Sequence, residues 1–405
     1  MKAALLIGRT LVVLLSAAVL VLSGYGWATL KRVEESVNTT DVLIELSDVP
    51  NAPPVDDGAT DILLVGSDSR TDAQGRPLPE HVLRQLRTEA TDTLNTDTII
   101  VMRVPRNGGR AQAVSIPRDT YVTIPDHGDE KINSAYGLTK FFTMQRLQAE
   151  GVTDLTERSQ QGDQAGRRAL VQVVQDLTGV RVDHYAEINL YGFYLLTEVI
   201  GGVDVCLRQA TSDPDSGADF RAGVQSISGG DALAFVRQRK GIPNGDLGRI
   251  TRQQVFMSAA MAKLMSAGTL TDPARLSGLL DAVSKSVVVD EKLDLATFAG
   301  QARGLAGGNV EFATIPVTGV GARNERGQSI VTVDPAQVKA FVAELLGEKT
   351  PTPAPTTTPA ATTTTAATTG TTTGATTPTR RFGGDRPVAL DGRARAALQG
   401  PPCVD

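Results

Sequence analysis

The chain has 405 residues, of which 41% are hydrophobic, so it is long enough for more than one domain and can bury a full core. A formal net charge of -5 gives no electrostatic reason to expect nucleic-acid binding. The two cysteines, Cys206 and Cys403, are too few for a disulfide scaffold or a cysteine-rich zinc site.

The first predicted element is a membrane-spanning helix. Residues 10–30 form a run of 21 residues without a charge. At a rise of about 1.5 Å per residue, such a helix crosses a hydrocarbon core of about 30 Å. A cleaved signal peptide is the alternative, because Lys2 and Arg9 resemble its charged start. The length of the run and the interfacial positions of Tyr25 and Trp27 favour an uncleaved anchor. The positive-inside rule then favours a cytoplasmic N-terminus with the body outside the cell membrane.

From residue 61 to residue 346 the sequence alternates short apolar runs with helical patterns. The runs that predict strands are 62–65, 98–104, 111–116, 185–188, 203–207, 310–315 and 329–333. The patterns that predict helices are 138–149, 166–177, 191–199, 231–239, 249–265, 279–287 and 295–305, with another helix after Pro335. This alternation is typical of an α/β fold with a largely buried sheet.

Five segments follow from these patterns. They are a cytoplasmic stub with the anchor at 1–32, a turn-rich linker at 33–60, a globular domain at 61–346 whose core is 61–262, a Thr-, Pro- and Ala-rich linker at 347–379, and a short tail at 380–405. The second linker has too few large apolar residues to offset chain entropy, so we expect it to be disordered. We predict that Cys206 and Cys403 form a disulfide that pins the tail to the body, the alternative being two unrelated thiols.

Polar residues stand at the ends of three predicted strands. Asp68 and Arg70 follow the first strand, Asp97 precedes the second, and Arg118 follows the third. Because open α/β folds place their ligands at the ends of strands, these residues form the first candidate site. The alternative interpretation is a set of ordinary polar turns.

A group of arginines follows much later in the chain. One segment of sixteen residues contains four arginines, although the net charge of the protein is negative: Arg237, Arg239, Arg249 and Arg252. An exposed helix face would explain some of them, but the planar guanidinium is also the side chain best matched to phosphate oxygens. Together with Asp68 and Asp97, the arginines suggest a site for a diphosphate and a divalent cation.

Six motifs in this order resemble the LytR-CpsA-Psr family. They are Gly-Ser-Asp-Ser-Arg at 66–70, Thr-Asp-Thr at 96–98, Ser-Ile-Pro-Arg-Asp-Thr at 115–120, Lys-Ile-Asn-Ser-Ala-Tyr at 131–136, Ile-Gly-Gly-Val at 200–203, and Arg-Gln-Arg at 237–239 followed by Gly-Asp-Leu-Gly-Arg-Ile-Thr-Arg-Gln-Gln at 245–254. The resemblance covers residues 61–262, and the following residues to 346 look like the extension of actinobacterial members.

The resemblance implies an α/β/α sandwich with a central mixed sheet and a hydrophobic tunnel for a polyprenyl chain. The implied activity is a phosphotransferase that moves a glycopolymer from a polyprenyl diphosphate carrier to a peptidoglycan hydroxyl. The implied cofactor is Mg²⁺, with Mn²⁺ as a substitute. The polymer is left open between arabinogalactan, wall teichoic acid and capsule, with a preference for arabinogalactan. No nucleic-acid partner is expected.

The resemblance also assigns roles to residues. Asp68 and Asp97 would hold the metal, and either of them could accept the proton of the acceptor hydroxyl. The implied diphosphate clamps are Arg118, Arg237 and Arg239, and the implied supporting residues are Arg70, Lys131, Asn133, Arg249 and Gln253.

One position departs from the family pattern. Many members have arginine two residues before the second aspartate, where this chain has Asn95. Either the diphosphate has one clamp fewer, or Arg70 or Arg103 replaces it.

Three other functions remain as alternatives: a membrane-bound transcriptional attenuator, a polyprenyl diphosphate pyrophosphatase and a passive lipid-binding protein. An anchored body outside the membrane would have no route to DNA, and a passive binder would tolerate loss of the two aspartates.

Overall fold

The computed structural model describes residues 31, 38–43, 58–72, 75–89, 94–106, 109–264, 273–294, 310–346 and 402–405. The predicted anchor at 10–30, the predicted helix at 295–305 and the predicted linker at 347–379 lie outside these residues. Among the residues that are described, no helix has both the length and the apolar character needed to span a membrane.

The described residues form strands and helices in alternation. The strands are β1 (Asn38–Thr40), β2 (Ala59–Ser67), β3 (Thr96–Pro105), β4 (Ala111–Ser115), β5 (Tyr121–Ile124), β6 (Gly128–Lys131), β7 (His184–Asn189), β8 (Val203–Leu207), β9 (Thr211–Asp213), β10 (Ala218–Phe220), β11 (Gly223–Ile227), β12 (Val287–Asp290), β13 (Val310–Thr314), β14 (Gly319–Arg323), β15 (Ser329–Thr332) and β16 (Cys403–Val404). The helices are α1 (Glu80–Gln85), α2 (Ala135–Ala149), α3 (Leu155–Thr178), α4 (Leu190–Val199), α5 (Gly229–Arg237), α6 (Asp246–Leu264), α7 (Pro273–Ser286) and α8 (Pro335–Leu345).

The centre of the fold is a mixed sheet of seven strands in the order β1-β12-β7-β2-β3-β4-β13. β2 runs parallel to β7 but antiparallel to β3, and β3 is antiparallel to β4. The predicted α/β class with a central mixed sheet is therefore confirmed. β12 and β13 come from the region after residue 262, so this region completes the same sheet.

Both faces of the sheet are covered by helices. Leu63 and its neighbour Val101 pack on one face against Leu170 of α3. Ile100 alternates to the other face, where it packs with Met257 of α6. Because the central strands are buried on both faces, they are apolar at nearly every position, which is why the sequence predicts them well.

The predicted linker at 33–60 contains a strand. β1 lies at the edge of the sheet and pairs in parallel with β12. Asn38 Nδ2 donates to the main-chain oxygens of Ser284 (2.7 Å) and Val287 (3.2 Å), which fixes the start of this strand. A strand of three polar residues has no hydrophobic period, so the sequence pattern does not predict it.

The end of the chain is fastened to the body. Cys206 and Cys403 form a disulfide, as predicted, and β16 pairs in parallel with β8. The fully buried Arg252 donates from Nε to the main-chain oxygen of Asp405 (2.7 Å) and from Nη1 to Gln238 (2.6 Å). The tail therefore contacts α6 directly, and Arg252 connects it to the segment that joins α5 to α6.

Candidate active site

Antiparallel pairing brings three polar segments to one edge of the sheet. Asp68 directly follows β2, Asp97 is the second residue of β3, and Arg118 comes three residues after β4. Because β3 is antiparallel to both neighbours, its start lies beside the ends of β2 and β4. This topology explains why the three residues lie at the same edge of the sheet, as the sequence predicts.

A β-bulge sets the position of Asp97. The register passes from Gly66 opposite Thr98 to Ser67 opposite Thr96, so Asp97 is the extra residue on its strand. Bulges next to active sites redirect a side chain out of the regular alternation. A Cβ atom on Gly66 would lie 3.0 Å from the Cβ of Thr98, so glycine allows the close approach of the two strands here.

Asp97 is surrounded by arginines. Arg118 Nη1 donates to Asp97 Oδ1 at 2.7 Å, and Arg249 Nη1 lies 3.9 Å from Asp97 Oδ2. Burial alone would raise the pKa of Asp97, but the charges of Arg118, Arg249 and Arg237 outweigh it and lower this pKa below its usual value. Asp97 is therefore ionised at neutral pH.

Asp246 is a site residue that the sequence reasoning missed. Its Oδ1 lies 3.5 Å from Arg118 Nε and 2.9 Å from Arg249 Nη2. In the part of the chain that the structure describes, neither of its buried carboxylate oxygens has a hydrogen bond of good geometry. Burial raises the pKa of Asp246 in spite of the two arginines. Its place three residues before Arg249, in the first turn of α6, was the available sequence signal.

Two predicted supporting residues hold the loop that carries Arg118. Lys131 Nζ donates to Asp119 Oδ1 at 3.0 Å. The main-chain N–H of Asn133 donates to the main-chain oxygen of Arg118 at 3.1 Å. Lys131 thus adds a positive charge to the site, whereas the backbone of Asn133 fixes the course of the loop.

Asp68 is held by the segment before β3. The main-chain N–H of Asn95 donates to Asp68 Oδ1 at 2.7 Å, and Arg70 Nη1 lies 3.0 Å from Oδ2. Arg237 is within electrostatic range: burial first, and then the charge of Arg70, lowers the pKa of Arg237, while the charges of Asp97 and Asp68 oppose this shift. Arg70 and Arg237 therefore extend the cation cluster to the side of Asp68.

The structure decides which arginine lies near the position of Asn95. Arg70 forms an ion pair with Asp68, and Asp68 accepts a hydrogen bond from the main-chain N–H of Asn95. Arg103 instead pairs with Asp61 at 2.9 Å, and both side chains are buried. Arg103 is six positions along β3 from Asp97, which at about 3.4 Å per position is about 20 Å. The hypothesis that Arg103 replaces the missing clamp is wrong.

Two other predicted site residues have different surroundings. Gln253 is buried and donates from Nε2 to the main-chain oxygen of Val236 at 3.2 Å, so it joins α6 to α5. Arg239 is exposed, and its main-chain N–H donates to Asp213 Oδ2 at 3.2 Å. The structure thus does not bring these two side chains into the cation cluster around Asp97.

A large cavity opens next to the cluster, with a volume of about 1180 Å³. Arg70 and Asn95 line both the cavity and the site, and α2, α3 and β1 supply most of the other walls. Ion pairs stand among its apolar lining residues: Lys140 Nζ donates to Asp163 Oδ1 at 2.7 Å, and Arg167 Nε donates to Glu187 Oε2 at 2.8 Å. Its lining is therefore mixed, whereas the family resemblance implied a hydrophobic tunnel.

The sequence and the fold have relatives among known proteins. The model of the LytR_cpsA_psr family matches residues 27–346. Cell wall biosynthesis protein LcpA of Corynebacterium glutamicum is 49% identical over 345 residues, which cover 85% of this chain and 66% of LcpA. The polyisoprenyl-teichoic acid–peptidoglycan teichoic acid transferase TagU of Oceanobacillus iheyensis is 30% identical over 65% of this chain and 68% of its own length. The match to LcpA thus spans slightly less than two thirds of that protein.

One solved structure is similar in fold. A protein of Streptococcus agalactiae superposes with a TM-score of 0.52 over 72% of this chain and 89% of its own, at 19% sequence identity. At this identity the likeness concerns the fold.

Proposed function

The chain belongs to the LytR-CpsA-Psr family, and from this premise we propose that it is a phosphotransferase of cell-wall assembly. Its reaction moves a glycopolymer from a polyprenyl diphosphate carrier to a hydroxyl of peptidoglycan and forms a phosphodiester link. The observation that carries the proposal is the position of Arg118 between Asp97 and Asp246, inside a cluster of cations at the edge of the sheet.

The charges of this cluster suit a diphosphate. Five cationic side chains, Arg70, Arg118, Lys131, Arg237 and Arg249, stand with four carboxylates, Asp68, Asp97, Asp119 and Asp246. One arginine side chain can bind two phosphate oxygens at once. Arginines also stabilise the charge that develops on a transferring phosphoryl group. The proposed donor therefore places its diphosphate among these arginines.

The donor set also fits Mg²⁺, which we propose as the cofactor, with Mn²⁺ as a substitute. In the described ranges no three acidic, histidine or cysteine side chains are grouped as a complete metal cage. Mg²⁺ in phosphoryl-transfer sites is usually held by one or two carboxylates together with substrate phosphates. Asp68 and Asp97 would hold it, since Asp97 is ionised and its carboxylate lies at the same edge of the sheet as Asp68. The bound cation would neutralise charge on the diphosphate.

The proposed chemistry needs positioning more than covalent catalysis. The acceptor hydroxyl oxygen attacks the phosphorus attached to the glycan, and the bond from that phosphorus to the bridging oxygen breaks. Polyprenyl phosphate leaves, and the hydroxyl proton passes to a carboxylate. Asp68 and Asp97 remain candidates for this role, and Asp246 joins them because its raised pKa makes it a better proton acceptor.

We also propose that the predicted anchor at 10–30 holds the body on the outer side of the cell membrane, where the carrier and peptidoglycan meet. The relatives bear on the polymer in two ways. The TagU relative is named for teichoic acid, whereas the higher identity is to LcpA of a corynebacterium. We favour arabinogalactan, with wall teichoic acid as the second choice.

The test is complementation of a bacterial strain that lacks its own ligases of this family. The full chain should restore a phosphodiester-linked polymer to the wall, and the chemical identity of that polymer names the donor. The Arg118→Ala variant, produced at the same level, should restore none. Equal restoration by this variant, or a wall without polymer in cells that produce the intact chain, would contradict the proposal.

A further inference from the structure

The mouth of the cavity carries large exposed hydrophobic side chains. Phe141, Phe142 and Leu155 are 54%, 49% and 63% exposed, and Phe141 and Leu155 line the cavity. The rings of Phe141 and Phe142 meet edge to face at 5.4 Å, and Phe142 stacks on His127 at 5.0 Å. We call Phe141, Phe142 and Leu155 the apolar rim.

Such a group is unusual on the rest of the described surface. Outside the rim, the exposed large hydrophobic residues of the described chain are two valines on different strands, Val224 on β11 and Val320 on β14. Contiguous exposed apolar side chains mark a site for a partner, whereas single ones are common on protein surfaces. The apolar rim is therefore a candidate site for a partner, and the two valines, each on a different strand, offer a comparison.

The surroundings of the rim suit a bilayer surface. Aromatic side chains are enriched where a protein meets the lipid headgroups. Two arginines stand close by on the same helices, but Arg146 is paired with Glu150 at 3.3 Å and Arg158 donates to Gln148 at 2.7 Å. The apolar side chains, and not a net positive charge, therefore make this face suitable for a bilayer surface.

The length of the chain also places this face near the membrane. Residues 38–41 line the same cavity, and the predicted anchor ends at Leu30. The residues from 30 to 38 can span at most about 28 Å when fully extended, at about 3.5 Å per residue. With the proposed anchor in the bilayer, the wall of the cavity is tethered within about this distance of its surface.

We propose that the apolar rim docks on the outer surface of the lipid bilayer, so that the hydrocarbon chain of the donor enters the cavity without crossing water. The proposal rests on the proposed function for the identity of the donor and for the anchor at 10–30. The docking itself rests on the exposed rim, the cavity mouth and the length of the tether.

The first test measures docking without any reaction. Both native cysteines are in the disulfide, so a cysteine introduced at Phe141 or Leu155 is a single reactive thiol for a fluorescent label. The labelled full chain is reconstituted in vesicles that contain spin-labelled lipids as quenchers. Labels in Phe141→Cys and Leu155→Cys should be quenched several-fold more than labels in Val224→Cys and Val320→Cys. Equal quenching at all four positions would overturn the proposal.

The second test measures the consequence for donor use. A variant with Phe141→Ser, Phe142→Ser and Leu155→Ser is compared with a control that carries Val224→Ser and Val320→Ser. The ratio of the rate with a long-chain donor in vesicles to the rate with a short-chain soluble donor should fall several-fold only in the rim variant. An unchanged ratio would overturn the proposal, whereas an intact chain that uses neither donor would refute the proposed function and leave the quenching result to decide on docking.

Discussion

Arg118 donates a hydrogen bond of 2.7 Å from Nη1 to Oδ1 of Asp97, which joins the loop after β4 to the start of β3. The same guanidinium has its Nε 3.5 Å from Asp246 at the start of α6. Although burial would lower the pKa of Arg118, Asp97 and its other carboxylate neighbours raise it, so Arg118 keeps its charge. A charged arginine between two carboxylates is the centre of the proposed diphosphate site.

Replacement of Arg118 by alanine should reduce the transfer rate by a factor of about 10² to 10³, because a fixed donor on the transferring phosphoryl group acts mainly in the transition state. The fold should survive the change. The measurement is kcat together with a thermal unfolding curve, and Arg84→Ala, an exposed arginine on α1, is the control. A wild-type rate in Arg118→Ala would remove this residue from the site.

The Arg239→Ala variant tests whether an arginine outside the cation cluster contacts the substrate. Its side chain is exposed, so Arg239→Ala should change the free energy of unfolding by less than about 0.5 kcal/mol. We still expect a loss of turnover by orders of magnitude, because the resemblance assigns a diphosphate contact to this residue. Lys240→Ala, at the neighbouring exposed cation, should retain turnover. If both variants keep wild-type rates, Arg239 has no contact with the substrate.

The buried pair of Arg103 and Asp61 should matter for stability and not for the reaction. Arg103→Ala leaves a buried carboxylate without this partner, which typically costs about 3 to 5 kcal/mol. The measurement is the free energy of unfolding in denaturant, followed by turnover per folded molecule. Arg70→Ala should show a large loss of turnover with a smaller loss of stability, because the pair of Arg70 and Asp68 is less buried than that of Arg103 and Asp61. A similar loss of turnover in folded Arg103→Ala would contradict the structure.

The lowered pKa of Asp97 predicts that the free energy of unfolding depends on pH. Its folded pKa lies below the ordinary value of 3.8, because the arginines outweigh burial. The carboxylate thus binds fewer protons in the folded than in the unfolded state, so its stabilising contribution is present above the unfolded pKa and is lost as the pH falls through the folded one. The difference in unfolding free energy between wild type and Asp97→Asn should therefore shrink when the pH is lowered from about 6 to about 3. A difference that stays constant or grows would show that the arginines do not stabilise this carboxylate.

The sequence predicted the parts of the site that depend on local pattern. β2 and β3 are long apolar runs with Asp68 and Asp97 at adjoining ends, so their pairing brings the two aspartates near each other. Arg103 was misjudged because its partner Asp61 is opposite it only in the folded register, which spacing along the chain does not reveal. Asp246 was missed because its environment depends on two arginines from different segments.

The sequence also does not predict which elements line the cavity. β1 has no apolar period, and it enters the sheet through hydrogen bonds to β12 from the other end of the domain. The exposure of Phe141 and Leu155 depends on how α2 and α3 pack, since their sequence pattern alone would place such side chains in a core.

The most direct test of the central claim is a reaction with three components: the full-length chain in detergent or vesicles with Mg²⁺, a polyprenyl diphosphate glycan, and a peptidoglycan fragment. Asp97→Ala serves as the control for the site and should abolish any reaction. We predict a phosphodiester-linked glycan–peptidoglycan product together with polyprenyl phosphate, both dependent on the acceptor. Release of polyprenyl phosphate at the same rate without acceptor, and no linked product with it, would show a hydrolase and contradict the transfer reaction.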